Sequence, residues 1–291
     1  MNRALTMLYL GCPQWSNTAW KGQLFAQHCQ QSQMLARYSE VFNAVEGNTT
    51  FYADPSPDVV KRWLHSSDEH FRFTFKFPKR FSHDSALQAP KQELTHWLKL
   101  MAPLFSKVGS LMLQLPASFT PTHLPRLQHF IAQLPKDLHY SVEVRHHDFF
   151  TKGDSERALN RFLHQHNIDR VCMDTRALFA VSPYSDAIID AQQKKPHLPV
   201  HAVALGERPV VRFVIAALSD EYQHYYQPWL AKIKQWLDEG KSPYVFLHTA
   251  DNDGAPLLAR QFAQDLQRFC GYYHRAIEPF PGEKHQQEQL F

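Results

Sequence analysis

Short runs rich in β-branched and aromatic residues recur along the chain at 8–11, 44–46, 72–76, 111–114, 140–145, 170–174, 210–214 and 244–247. Successive runs lie roughly 30 to 40 residues apart, the length of one strand–helix unit. The stretches between them carry apolar residues at helical spacing. Residues 57–65 open on Pro57 and align Val59, Val60, Trp63 and Leu64, while 91–105 set Leu94, Trp97, Leu98 and Met101 on one side. Residues 155–164 begin at a Ser155 cap and carry Leu159, Phe162 and Leu163. Residues 225–237 carry Trp229, Ile233, Trp236 and Leu237, and 255–269 carry Leu258, Phe262, Leu266 and Phe269. Proline in the first turn and serine at the cap are helix-start signals. Eight strands alternating with helices predict an α/β chain folded as a TIM (β/α)8 barrel, one domain over 1–278. The competing architecture is an open doubly wound sheet, which normally opens on a glycine-rich turn. With ten glycines and neither GxGxxG nor GxxxxGK[ST], the chain lacks that turn.

Two segments break the pattern. Residues 175–209 hold Pro183, Pro196 and Pro199 without a clean period, and are expected to form a long loop over the barrel mouth. From Pro279 onward the composition turns polar, predicting a flexible tail over 279–291.

Composition narrows the functional classes. At 291 residues and 44% hydrophobic the chain can bury a large core, and a formal charge of +3 is too weak to announce nucleic-acid binding. The 18 histidines add positive charge as pH falls through about 6.5. No run approaches the roughly 18 apolar residues of a membrane helix. The start has only Arg3 as a basic residue and a very short apolar run, so Leu10-Gly11-Cys12 is not read as a signal-peptide cleavage site. Cys12, Cys29, Cys172 and Cys270 are scattered without a CxxC pair, which predicts reduced thiols in a cytoplasmic protein.

In a barrel the C-terminal ends of the strands face the active-site mouth. There the sequence sets Cys12 and Trp15; Glu46, Asn48 and Tyr52; Lys76; Gln114; Glu143 and Arg145; Asp174; Arg212; and His248. Charge on a strand buried on both sides requires a partner, because desolvation is costly. One reading is internal pairing, in which the bases simply neutralise the acids. The other is a site: Glu46, Glu143 and Lys76 catalytic, with Trp15, Asn48, Tyr52, Gln114, Arg145, Arg212 and His248 binding substrate. Lys76, Arg145 and Arg212 would hold an anionic group. Glu46 and Glu143 would do acid–base work or ligate a divalent metal with Asp174 and His248; no HExxH-like spacing favours the metal. His146 and His147 are adjacent, so at most one can enter the mouth. Cys12 reads as buried filler rather than a nucleophile. Trp15, Trp20, Phe51 and Tyr52 could floor a pocket or belong to the core.

Five segments carry a family resemblance: Gly11-Cys12-Pro13-Gln14-Trp15, Val45-Glu46-Gly47-Asn48-Thr49-Thr50-Phe51-Tyr52, Phe73-Thr74-Phe75-Lys76-Phe77-Pro78, Leu113-Gln114-Leu115-Pro116 and Val142-Glu143-Val144-Arg145-His146. In them the chain resembles the DUF72 family, also named after its YecE-type members, over nearly its whole length. The resemblance implies a TIM-type barrel and no settled activity. Where the family commonly has Arg-Leu-His-Gly, this chain has Arg212-Phe213-Val214-Ile215, so a histidine contribution from that strand is absent. The final strand runs into His248-Thr249-Ala250-Asp251-Asn252, a variant of the family's Asn-Asn-like ending.

The chain ends Gln287-Glu288-Gln289-Leu290-Phe291. This resembles the bacterial sliding-clamp-binding pentapeptide through Gln287, Leu290 and Phe291, with Glu288 departing from it. A frayed polar tail is the alternative. Together these features point to an enzyme acting on a phosphate-bearing or other anionic substrate, a hydrolase with a nucleic-acid substrate among the candidates. A small-molecule isomerase or lyase, or a non-catalytic binding barrel, are the alternatives.

Overall fold

The structure is a computed structural model and describes residues 6–283. Nine strand segments lie in two parallel sheets. One has the order β1 (Tyr9–Gly11), β9 (Tyr244–His248), β8 (Val210–Val214), β7 (Cys172–Asp174); the other runs β2 (Ala44–Gly47), β3 (Arg72–Lys76), β4 (Val108–Gln114), β5 (Tyr140–Glu143), β6 (Asp169–Arg170). The sheets are halves of one barrel. β6 and β7 are a single strand interrupted at Val171, whose N–H turns to the Val142 carbonyl at 2.9 Å. At the other seam the Glu46 N–H donates to the Cys12 carbonyl at 3.1 Å. The Asn43 side chain spans the same seam, accepting from the Leu10 N–H and donating to the Leu8 carbonyl, each at 2.8 Å. Gly11 permits this closure, because a Cβ there would sit 1.9 Å from the Ala44 carbonyl oxygen. The eight expected strands are therefore present and closed, within three residues of their predicted ends.

Alternation along each strand sorts the side chains into two layers. Val45, Phe73, Phe75, Leu111, Leu113, Val142, Val211, Phe213, Val245 and Leu247 face outward into one large apolar core with the surrounding helices. Ala44, Met112, Val171, Val210, Tyr244 and Phe246 pack separately, with Tyr9, inside the barrel. One pleat further toward the C-terminal ends, the inward positions become Glu46, Lys76, Gln114, Glu143, Arg212 and His248, all buried. The barrel thus has an apolar floor and a charged upper layer.

The expected helices form, at Pro57–Ser66, Lys91–Met101 (continued as a 3-10 segment from Ala102 to Lys107), Asp154–Gln165, Gln223–Asp238 and Ala255–Cys270. The Asp154–Gln165 helix starts one residue before Ser155, with Gly153 at the cap. Two expectations are corrected. Residues 175–209 are not a structureless loop: they form the helices Arg176–Phe179 and Asp186–Lys194. The second is capped by Ser185, accepting from the Ile188 N–H, and buries only Ile188 and Ala191. Nine residues with two buried positions give too short a period to read. The remainder of the segment is strapped down, with the Asp169 carboxylate accepting the N–H groups of Leu205, Gly206 and Arg208 at 2.8 to 3.2 Å. The tail boundary at 279 also moves. Phe280 is fully buried, and Glu283 pairs bidentately with Arg260 at 2.7 and 2.8 Å. Packing thus reaches the last described residue; Gln287, Leu290 and Phe291 lie outside the described residues.

Candidate functional site

Arg212 rises from β8 into the centre of the upper layer. Its Nε and Nη2 donate to the two oxygens of Glu46 on β2, at 2.6 and 2.8 Å, and its Nη1 donates to Glu143 on β5 at 2.7 Å. The other oxygen of Glu143 accepts Nε and Nη2 of Arg145 at 2.7 and 2.6 Å. Lys76 on β3 donates to Gln114 Oε1 at 2.9 Å, with its Nζ 3.5 Å from Glu46. His248 on β9 holds Nε2 3.5 Å from Glu46, and that buried nitrogen has no hydrogen-bond partner among the described residues.

Local structure fixes these positions. Thr50, in the turn after β2, donates to the Lys76 carbonyl at 2.7 Å. Asn48 donates to the Pro13 carbonyl at 2.8 Å and ties the turn after β1 to the turn after β2. Arg145 also reaches the Lys194 carbonyl at 3.2 Å, joining Glu143 to the end of the Asp186–Lys194 helix. Cationic groups suit the last carbonyls of a helix.

A cavity of about 600 Å³ opens above this layer. Lys76, Gln114, Arg145, Arg212 and His248 line its base, Trp15, Asn48 and Tyr52 line its wall, and Lys194 and Lys195 reach it from the covering helix. Tyr52 stands at the rim, 76% exposed, while Trp15 packs edge-on against Trp63. Glu46 and Glu143 lie beneath, hydrogen-bonded to the cations that face the cavity. Eight of the ten site residues expected from the sequence therefore line one opening, and the other two, Glu46 and Glu143, lie directly beneath it. The metal set does not: Asp174 accepts Arg176 and the Trp229 indole N–H, each within 3.0 Å. Among the described residues no three His, Cys, Asp or Glu side chains group to hold a metal ion. Neither His146 nor His147 lines the cavity; His146 caps the following 3-10 turn. Cys12 is buried with its thiol pKa pushed up by that burial. Trp20 is core, donating to the Asn252 carbonyl, and Phe51 lies 5.8 Å under Lys76.

The electrostatics follow from who is paired. Burial alone would raise the Glu46 carboxyl, but Arg212, Lys76 and His248 hold it well below the usual range. In the same way Arg145 and Arg212 overcome burial at Glu143 and bring it to about 2. Both acids are thus ionised and hydrogen-bonded. Burial, then Arg212, lowers Lys76 to about 8 against the pull of Glu46 and Glu143. His248 is lowered to about 3 by burial, despite Glu46, and stays neutral. The residue that sequence reasoning missed is Lys195. It follows the covering helix, its ammonium has no hydrogen-bond or ion-pair partner among the described residues, and burial, Arg212 and Lys76 bring it to about 7. The one signal in the sequence was Lys194-Lys195-Pro196, a helix-stop pattern within a segment read as loop.

The fold and site define a class: a closed parallel eight-stranded barrel with an ionic layer and a cavity at the C-terminal strand ends. Residues 9–279 match the family model described as "Protein of unknown function DUF72", and the chain belongs to that family. It is 44% identical over 262 residues to the UPF0759 protein YecE of Escherichia coli strain K12, covering 90% of this chain and 93% of that one. Among solved structures, a DUF72 family protein from Thermotoga maritima superposes with a TM-score of 0.69 at 23% identity, covering 90% of this chain and 99% of that chain. One from Enterococcus faecalis superposes with a TM-score of 0.66 at 18% identity, covering 92% and 97%. These similarities extend to the fold and carry no activity.

Proposed function

We propose that the chain is an enzyme acting on a small molecule that bears a phosphate or carboxylate. The observation that carries this reading is a charge imbalance. Arg145, Arg212, Lys76 and Lys195 converge on two carboxylates, and both carboxylates are already committed to the arginines. An incoming anion would offset that surplus in a low-dielectric setting where such pairing is strong. Lys76 and Arg145, with Lys195 beside them, would face the anionic molecule, Gln114 and Asn48 would orient it, and Trp15 and Tyr52 would flank it. Glu46, Glu143 and Arg212 would keep the cations in place.

A cavity of about 600 Å³ suits a small ligand. A nucleic acid would enter it only as a terminal or everted nucleotide. Recruitment to a sliding clamp through Gln287, Leu290 and Phe291 stays a separate proposal. As to reaction type, ionised and fully bonded Glu46 and Glu143 supply no general acid, whereas two lysines of lowered pKa, Lys76 and Lys195, can exchange protons near neutrality. This favours isomerase or lyase chemistry over hydrolysis.

Calorimetric titration with inorganic phosphate and with pyruvate tests the anion site. Binding that weakens with added salt, and about tenfold or more in Lys76→Gln, is the expected result; tenfold corresponds to ~1.4 kcal/mol. Absence of binding to either anion at millimolar concentration overturns the reading.

A further inference from the structure

We infer that Lys195 is the covalent centre of the site, forming an imine with the carbonyl carbon of an anionic aldehyde or ketone. The inference rests on the anion-binding reading above and names its substrate class.

Four observations converge on it. Lys195 lines the cavity and is partly solvent-accessible, so a ligand can reach its amine. Its backbone is fixed on both sides: the Lys195 N–H closes the covering helix onto the Ala191 carbonyl at 2.9 Å, and the next carbonyl, of Pro196, accepts the Thr175 hydroxyl at 2.8 Å. The amine is the one cation of the cluster without a partner among the described residues, whereas Lys76 has Gln114 and Glu46, and both arginines have carboxylates. Finally, the buried His248, with Nε2 3.5 Å from Glu46, belongs to the same charge cluster. The groups facing Lys195 are Arg212, Lys76, Glu46, Glu143 and His248, with Arg145, Lys194 and Asp190 around the opening. The cations outnumber the carboxylates, which favours the uncharged amine. With its pKa near 7, the free-amine fraction at neutral pH is on the order of a thousandfold above that of an ordinary lysine.

The step balances without another reactant. The neutral Nζ attacks the carbonyl carbon, the C–N bond forms, and the π pair moves to the oxygen. Two protons lost from nitrogen and gained by oxygen release that oxygen as one water, leaving the C=N bond. Lys76, brought to about 8 in the same cluster, can carry a proton between the two atoms. A proton taken up on the imine nitrogen, which Lys76 can supply, makes the iminium that acts as an electron sink for breaking a neighbouring C–H or C–C bond, the chemistry expected of an isomerase or lyase.

Reductive trapping tests this on the full chain. The protein is incubated with dihydroxyacetone phosphate, pyruvate or uncharged acetone, reduced with borohydride and mapped by mass spectrometry. Expected is near-stoichiometric labelling of Lys195 by the anionic carbonyls, suppressed by inorganic phosphate, with a midpoint near pH 7. Lys195→Gln should lose that label while retaining its circular dichroism and melting transition. Labelling spread over surface lysines in order of exposure overturns the inference. So does an unlabelled Lys195 in protein that binds phosphate calorimetrically, which leaves the anion site standing. Selective labelling of Lys195 by acetone as fast as by the anions, with no phosphate binding, supports the reactive amine and sinks the anion reading.

Discussion

Arg212 is the side chain on which the upper layer depends. It is buried to 1% exposure and its guanidinium engages both buried carboxylates, three of its N–H groups being directed at them. Breaking a buried pair from one side leaves the other charge uncompensated, at a cost of about 3 to 5 kcal/mol. Here two carboxylates would be stranded. Arg212→Met should therefore lower the urea midpoint by an amount equivalent to at least that range. Arg212→Lys, which keeps the charge but not the bidentate fork, should fall between wild type and Met. Equal stability of Arg212→Met and wild type would show that the pairing is not needed. Most of this layer could be read from residues alone, because Glu46, Lys76, Glu143, Arg212 and His248 are polar residues inside otherwise apolar strands. What the residues did not reveal is the division of labour. Alternation within Arg72–Lys76 and Val210–Val214 assigns the polar positions inward, but only coordinates show that Arg212 occupies both acids and leaves the lysines surplus.

The element that completes the site is the Asp186–Lys194 helix, and it is the one least visible in sequence. It is short, and polar contacts anchor it: Gln192 donates to the Leu178 and Val181 carbonyls of the preceding helix and turn at 2.9 and 3.0 Å, and Arg145, after β5, reaches the Lys194 carbonyl. A nine-residue helix has little stability of its own. Its order depends on these anchors, so its opening should have a lower free energy than unfolding of the barrel. Gln192→Ala should increase hydrogen exchange across 186–195 and weaken phosphate binding several-fold, about 1 kcal/mol. The melting temperature should move by no more than about 2 °C. A change in exchange confined to the barrel strands would contradict this hinge-like attachment. The contrast with the strands is physical. Strands buried on both faces advertise themselves through continuous β-branched and aromatic runs, whereas this helix is held by two buried apolar residues, Ile188 and Ala191, and by one side-chain amide and one guanidinium, too few positions for a period to encode.

At the scale of the whole molecule, the folded barrel resists taking up protons at histidine. His248 sits in the ionic layer and His274 at the closing seam, where its Nε2 meets Asn43 Oδ1 at 3.1 Å and its Nδ1 accepts the Ala276 N–H. Burial lowers both to about 3, and lowers His83 and His139 as well. An unfolded histidine titrates near 6.5. Between these values the unfolded chain binds protons that the folded chain refuses, so stability rises with pH across that window. The stabilisation is fully present above about pH 6.5 and is lost progressively as pH falls toward 3. For His248 and His274 together the loss is on the order of 2.7 kcal/mol per pH unit once both titrate in the unfolded state. Below about pH 4.3, protonation of unfolded Glu46 and Glu143, held low in the fold, steepens the decline with the same sign. Urea unfolding between pH 7 and 4.5 should therefore show a falling midpoint at constant m-value. His274→Gln, which retains polar contacts but cannot titrate, should remove about half of the slope contributed by the pair. A midpoint flat across this range would mean that these histidines titrate in the folded barrel as they do in the open chain, and that the seam and the ionic layer admit water.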